Sequence, residues 1–153
     1  MGIVIIEAVA LVLAGLLAGE ELIVRYGVQP ALTALEDRAH ILARVALVKR
    51  LKVVVPIIMV PTVLAAAATL ITAGTGDGLL WRWAGMAALV AFVLFSFLGT
   101  VPINMKVNDW DADAPPADWK AVVRRWQTID VFRSSAAIVT FVCFTVALAV
   151  QLP

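Results

Sequence analysis

Val53–Ala73, Ala84–Ile103 and Ser134–Pro153 carry no charge, and Gly2–Gly19 is interrupted only by Glu7. Each run has about the 20 residues that cross a bilayer as a helix. Four such runs leave a chain little choice. Backbone in hydrocarbon must satisfy its own hydrogen bonds, and a helix does so within one segment. The fold class is therefore all-α, an integral membrane four-helix bundle with helices 2 and 4 extended on the cytoplasmic side. Residues 1–153 read as a single four-span membrane domain. Spans are expected at about 3–26, 53–73, 80–103 and 134–152, with cytoplasmic polar segments at 27–52 and 104–133. The hydrophobic fraction of 63% agrees, since soluble domains hold about 45–50%.

A net charge of +1 excludes a nucleic-acid-binding field. Its distribution says more. Eleven of the twelve Lys and Arg fall between spans 1 and 2 or between spans 3 and 4, and only Arg82 lies on the other side. By the positive-inside rule both connections are cytoplasmic, in the inner membrane, with both termini outside. The first run has no basic stretch before it and carries Glu7, so it reads as a span and not a cleaved leader. The one cysteine, Cys143, reads as packing.

Along the chain, Gly27–Gln29 should break the first helix, and Thr33-Ala-Leu-Glu36 offers a capping box for the second. A helix from Thr33 to Ala73 would measure about 60 Å, so a bend is expected at Pro56 and Pro61. Gly74–Gly78 reads as a tight outer turn, followed by Trp81 and Trp83 as an interfacial belt. Pro102 should end or kink the third span. Gly15 and Gly19 permit close helix approach, and Glu7 reaches water. No repeat or low-complexity segment appears.

Polar residues beside the spans are the candidates for chemistry, because charge near hydrocarbon is costly without a role. Gly19–Arg44 packs in Glu20, Glu21, Arg25, Tyr26, Glu36, Asp37, Arg38, His40 and Arg44. Glu21 and Arg25 have i,i+4 spacing and should pair. On the fourth helix, Trp119, Val123, Trp126, Asp130 and Arg133 recur at helical spacing and form an inward stripe. Asn104 follows Pro102. These groups lie at the same ends of an antiparallel bundle and are expected to converge on one pocket. His40, the only histidine, suits a general base or a metal ligand with Glu21, Asp37 and Asp130 around a single iron, manganese or copper ion. Lys49, Arg50, Lys52, Arg124 and Arg125 read as headgroup and topology charges. Asp109, Asp111 and Asp113 read as a solvated loop.

Four motifs in register with the spans carry a resemblance. Gly15-Leu-Leu-Ala-Gly19, Val28-Gln-Pro-Ala-Leu32, Val101-Pro-Ile-Asn104 and Trp126-x-x-x-Asp130-x-x-Arg133 resemble the anthrone oxygenase-like family of small four-span membrane proteins. Asp130 stands where many relatives carry histidine, and Glu20 and Glu21 where many are apolar. The resemblance implies oxidation of a hydrophobic phenolic substrate by dioxygen, with no cofactor required. His40 or Asp130 would be the base, and Asn104, Arg133 or Arg44 would stabilise the oxyanion. Trp119, Trp126 and Tyr26 would hold the substrate. The expected partners are a hydrophobic small molecule and membrane lipid, with no nucleic acid; homo-oligomers are allowed. The alternatives are a metal-dependent membrane oxidoreductase, a non-catalytic lipid- or quinone-binding protein, and a small transport protein.

Overall fold

The structure, a computed structural model, describes residues 2–72 and 76–151. Among them are helix 1 (Gly2–Thr33), helix 2 (Asp37–Thr72), helix 3 (Leu79–Val107) and helix 4 (Trp119–Ala149), each long and apolar enough to cross a membrane. No strand occurs among the described residues. The four apolar helices fit an integral membrane protein, and their outward faces are apolar, with Ile57 and Leu64 65% and Leu98 78% exposed.

Helix 4 packs on helices 1 and 3, and helix 1 packs on helix 2. Helices 2 and 3 meet more sparsely and close the ring. The centre is built from Ala14, Leu17, Val55, Met59, Ala66, Leu89, Phe92, Ala137 and Phe144. Where lipid covers the outside, tight contact between such side chains, more than expulsion of water, holds helices together. A second cluster of Val24, Val48, Ile103, Val107 and Trp126 fills the end of the bundle that carries the 1–2 and 3–4 connections; we call this the basic end.

Two expected breaks are absent. Helix 1 does not stop at Gly27–Gln29, and helix 3 does not stop at Pro102. Each passes through a π-helical turn, Val24–Val28 and Ser96–Thr100, and resumes as α-helix with the proline in its first two positions. Proline has no N–H and its ring collides with the carbonyl four residues back. The wider turn removes the conflict. The Gln29 N–H donates to the Val24 carbonyl and the Val101 N–H to the Ser96 carbonyl, five residues back in each case. Gly27-Val-Gln-Pro30 and Gly99-Thr-Val-Pro102 thus fold alike, a local repeat within a chain whose sequence shows no larger one. At Gly99 the backbone lies close to helix 4: a Cβ there would come 2.5 Å from Ile129 Cγ2.

The link between helices 1 and 2 is shorter than the capping box suggested. Thr33 ends helix 1, its hydroxyl donating to the Gln29 carbonyl at 2.9 Å, and helix 2 starts at Asp37. Helix 2 then runs unbroken through Pro56 and Pro61. Of the expected outer turn, Gly74 and Thr75 lie outside the described residues, as do residues 73 and 152 at the ends of expected spans. Its described part ends on Gly78 with φ +85°, where a Cβ would meet the Ala147 carbonyl oxygen at 2.6 Å. That left-handed conformation favours glycine. Trp81 and Trp83 beyond it are exposed.

Three further expectations are corrected by packing. Glu7 does not reach water: it is 7% exposed and accepts from Arg82 Nε at 2.7 Å, with Gln151 Nε2 donating to its second oxygen at 3.2 Å. Gly15 packs under Phe141, whereas Gly19 faces open space, so the pair does not form a close helix crossing. Helix 4 begins at Trp119, immediately after Asp118, whereas the sequence predicts a start near Pro116, where a proline and then Asp118 suit a first helical turn.

Candidate functional site

At the basic end the polar side chains fall into two groups flanking Trp126. In the first, Arg133 on helix 4 reaches across to Glu21 on helix 1 at 2.8 Å and along its own helix to Asp130 at 3.3 Å. Its guanidinium lies 5.5 Å from the Phe92 ring centroid. All three charged residues are buried. The expected Glu21–Arg25 pair does not form. Arg25 Nη1 instead donates to the Ser134 and Ser135 hydroxyls at 3.2 and 3.1 Å. Glu20 is shielded, with neither carboxylate oxygen hydrogen-bonded among the described residues.

In the second group, Arg44 Nη2 donates to Gln29 Oε1 at 2.8 Å and Arg44 Nε donates to His40 Nε2 at 3.0 Å. A nitrogen that accepts this bond carries a lone pair, so the contact assigns His40 as neutral imidazole with its proton on Nδ1. The imidazole also stands edge-on to Trp119, centroids 5.2 Å apart. Arg44 lies 5.6 Å from the Trp126 ring centroid. The Trp126 indole N–H donates to Asn104 Oδ1 at 2.9 Å, which leaves the Asn104 amide nitrogen free to donate elsewhere.

Two cavities adjoin these groups, each beside a π-helical turn. One, of about 330 Å³, lies between helices 2, 3 and 4. Val55, Pro56 and Met59 form one wall, and Ser96, Phe97 and Thr100 of the π turn form another; Asn104, Trp126 and Arg133 line its polar side. Arg133 Nε and Asn108 Oδ1 are buried without hydrogen-bond partners among the described residues. The size falls at the lower end of ligand pockets, and π turns recur at functional sites. The other is an open groove of about 540 Å³ between helices 1 and 4, lined by Arg25, Gln29, Thr33, Gln127, Asp130 and Val131 among others. The Arg133–Asp130 pair lies between them: Arg133 lines the cavity and Asp130 the groove.

The predicted residues therefore separate. Asn104, Trp126 and Arg133 share the cavity wall. Asp130 is bonded to Arg133 from the groove side. His40, Arg44 and Trp119 form a buried layer that does not line the cavity. Tyr26 is 62% exposed, with Arg25 over its ring, and joins none of these. Asp37 faces outward and pairs with Lys120 at 2.8 Å. The metal set His40, Glu21, Asp37 and Asp130 does not fit an ion: Asp37 points away, and His40 Nε2 is taken by Arg44. Among the described residues no three His, Cys, Asp or Glu side chains are grouped to hold a metal. Away from the site, Arg38 donates to Asp113 at 2.7 Å and holds that carboxyl below its ordinary range.

Sequence reasoning missed Gln29, Ser96, Thr100 and Asn108, and it placed Lys52 with the headgroup charges. Gln29 had no signal: the residue before a proline is disfavoured in helical backbone, yet Gln29 is helical at φ −61°, ψ −47°. Ser96 and Thr100 had none either, because a π turn is not legible from hydropathy.

Four apolar helices in a bundle define a helical membrane protein, with a largely apolar, partly open cavity at its basic end. The chain belongs to the anthrone oxygenase family, whose family model matches residues 45–143. Every residue lining the cavity lies inside that stretch, whereas Arg25, Gln29 and Thr33 of the groove lie before it. No curated protein and no solved structure gives a significant match.

Proposed function

We propose that the protein is a membrane oxygenase-like enzyme that oxidises a flat, hydrophobic phenolic or polycyclic substrate with dioxygen in the cavity between helices 2, 3 and 4. The observation that carries this is the cavity's lining: apolar walls with the unspent Nε–H of Arg133 and the amide of Asn104 beside the Trp126 ring. Donors placed in advance, in a site with little water, stabilise an anion far better than water-exposed ones.

The chemistry that suits such a lining is that of an anthrone. Its methylene is flanked by two rings and conjugated to a carbonyl, so loss of a proton gives an enolate with its charge on oxygen. Arg133 and Asn104 supply the donors for that oxygen. No carboxylate lines the cavity itself; Asp130 and Glu21, both bonded to the Arg133 guanidinium of its wall, are the carboxylates proposed to take the proton from behind that wall. The enolate carbon is oxidised as dioxygen is reduced, forming a carbon–oxygen bond and a peroxide. Loss of water across that peroxide leaves the quinone carbonyl. One anthrone and one dioxygen give one quinone and one water, and no redox cofactor enters the balance. His40 as the base is not favoured, because its acceptor nitrogen is engaged by Arg44 outside the cavity.

The topology proposed from charge gains support from the Arg82 contact. The one basic residue at the far end is buried against Glu7, so the exposed cations all gather at the basic end. That end is proposed as cytoplasmic and both termini as external. The test is dioxygen uptake by the purified protein in lipid nanodiscs supplied with anthrone. The reading expects quinone and consumed dioxygen in a one-to-one ratio, above the rate in empty nanodiscs. A folded protein that adds nothing to that background contradicts it.

A further inference from the structure

The cavity that carries the proposed function has a charge pattern of its own. It has two cations on its wall, Arg133 and Lys52, and no carboxylate. The two differ in setting. Arg133 is 4% exposed, in the interior of the basic end, and its charge is shared with Glu21 and Asp130. Lys52 is exposed at the rim, and among the described residues it has neither an ion-pair partner nor a hydrogen bond. It stands on helix 2 next to Pro56, opposite Phe97, Val101 and Met105 of helix 3, which are exposed as well. The cavity thus opens sideways through the sparse seam between helices 2 and 3, at an apolar outer face, with one free cation at its mouth.

We infer that Lys52 is a specificity residue that holds an acidic substituent of the substrate. The preferred substrate class is then an aromatic acid: a flat phenolic ring system that slides in from the bilayer with its reacting oxygen towards Arg133 and a carboxylate left at the rim. This rests on the cavity being the aromatic site proposed above. A lysine that merely extends to lipid headgroups would not discriminate between ligands in the cavity.

The experiment compares binding of anthraquinone and anthraquinone-2-carboxylate, probes that need no turnover, by quenching of tryptophan fluorescence in nanodiscs of one fixed lipid composition. Each dissociation constant is expressed on the probe's concentration in the lipid, measured from its partition into empty nanodiscs, so that partition cancels between probes as well as between variants. In the wild-type protein the carboxylate should bind about tenfold more tightly. In Lys52→Met the ratio of the two dissociation constants should fall to about one, and Lys52→Arg should restore most of it. Equal binding of the two probes by the wild-type protein overturns the inference, and so does a preference that survives in Lys52→Met; both outcomes leave the cavity reading intact. Failure of the folded wild-type protein to bind either probe overturns the cavity reading, and this inference with it.

Discussion

Arg133 on helix 4 lies 2.8 Å from Glu21 on helix 1, and Glu21 is fully buried. The pair joins two helices beside the Arg133–Asp130 contact, which has Arg133 on the cavity wall and Asp130 on the groove wall. One guanidinium serves two carboxylates there, Glu21 and Asp130.

Removing the shared partner should therefore cost more than removing either carboxylate. Arg133→Met leaves two buried carboxylates uncompensated and is expected to destabilise by about 3–5 kcal/mol. Glu21→Gln leaves Arg133 still paired with Asp130 and should cost clearly less. Denaturant unfolding in mild detergent ranks the two. The reverse order would show that the guanidinium does not hold the cluster.

Gly99→Ala tests the crossing of helices 3 and 4. The added Cβ meets Ile129 at 2.5 Å, an overpacking expected to cost about 1–3 kcal/mol. Adding Ile129→Ala should recover part of that loss, so the two changes combine non-additively. Thermal unfolding of the single and double variants reads the coupling.

The far end of the bundle offers a contrast. Glu7→Gln leaves Arg82, 2% exposed, without its counter-charge. Stability should fall by about 3–5 kcal/mol, while turnover per folded molecule holds, because this pair lies at the opposite end from the cavity. Unfolding and turnover measured on the same preparation check both halves.

Helix count and the buried stripe on helix 4 were legible because each is a statement about periodicity and charge. Trp119, Val123, Trp126, Asp130 and Arg133 lie on one face of any helix, and all five are buried. What the sequence hid was how prolines would be absorbed. Gly27–Gln29 and Pro102 promised helix breaks, yet the π turns carry the two helices onward by five and seven residues. That extension sets Gln29 beside Arg44 and brings Asn104 to Trp126. Pairing was also hidden. Glu21 and Arg25 have the right spacing, but Arg133 lies across the bundle from Glu21, and contact between distant segments has no trace in local spacing. The same holds for Glu7 and Arg82, which are 75 positions apart.

His40 was the natural sequence-level base, and its geometry gives a distinct expectation. Its Nε2 accepts from Arg44 behind the Trp126 ring. His40→Gln should change the level of turnover without changing the shape of its pH profile. A base with the ordinary imidazole value of about 6.5 would instead lose the acidic limb of that profile in the variant. Rates from about pH 5 to 9 separate the two.

The central claim is that the chemistry takes place in the cavity between helices 2, 3 and 4, not in the groove between helices 1 and 4. Val101 and Val131 sit on the two walls, 37% and 39% exposed, so a large side chain at either position can fit without invading the core. The decisive measurement is anthrone-dependent dioxygen uptake by Val101→Trp and Val131→Trp in nanodiscs, at matched amounts of folded protein. The account predicts that Val101→Trp, which plugs the cavity mouth, loses most of the turnover and that Val131→Trp retains it. Loss in Val131→Trp with full turnover in Val101→Trp would place the reaction in the groove and contradict the account.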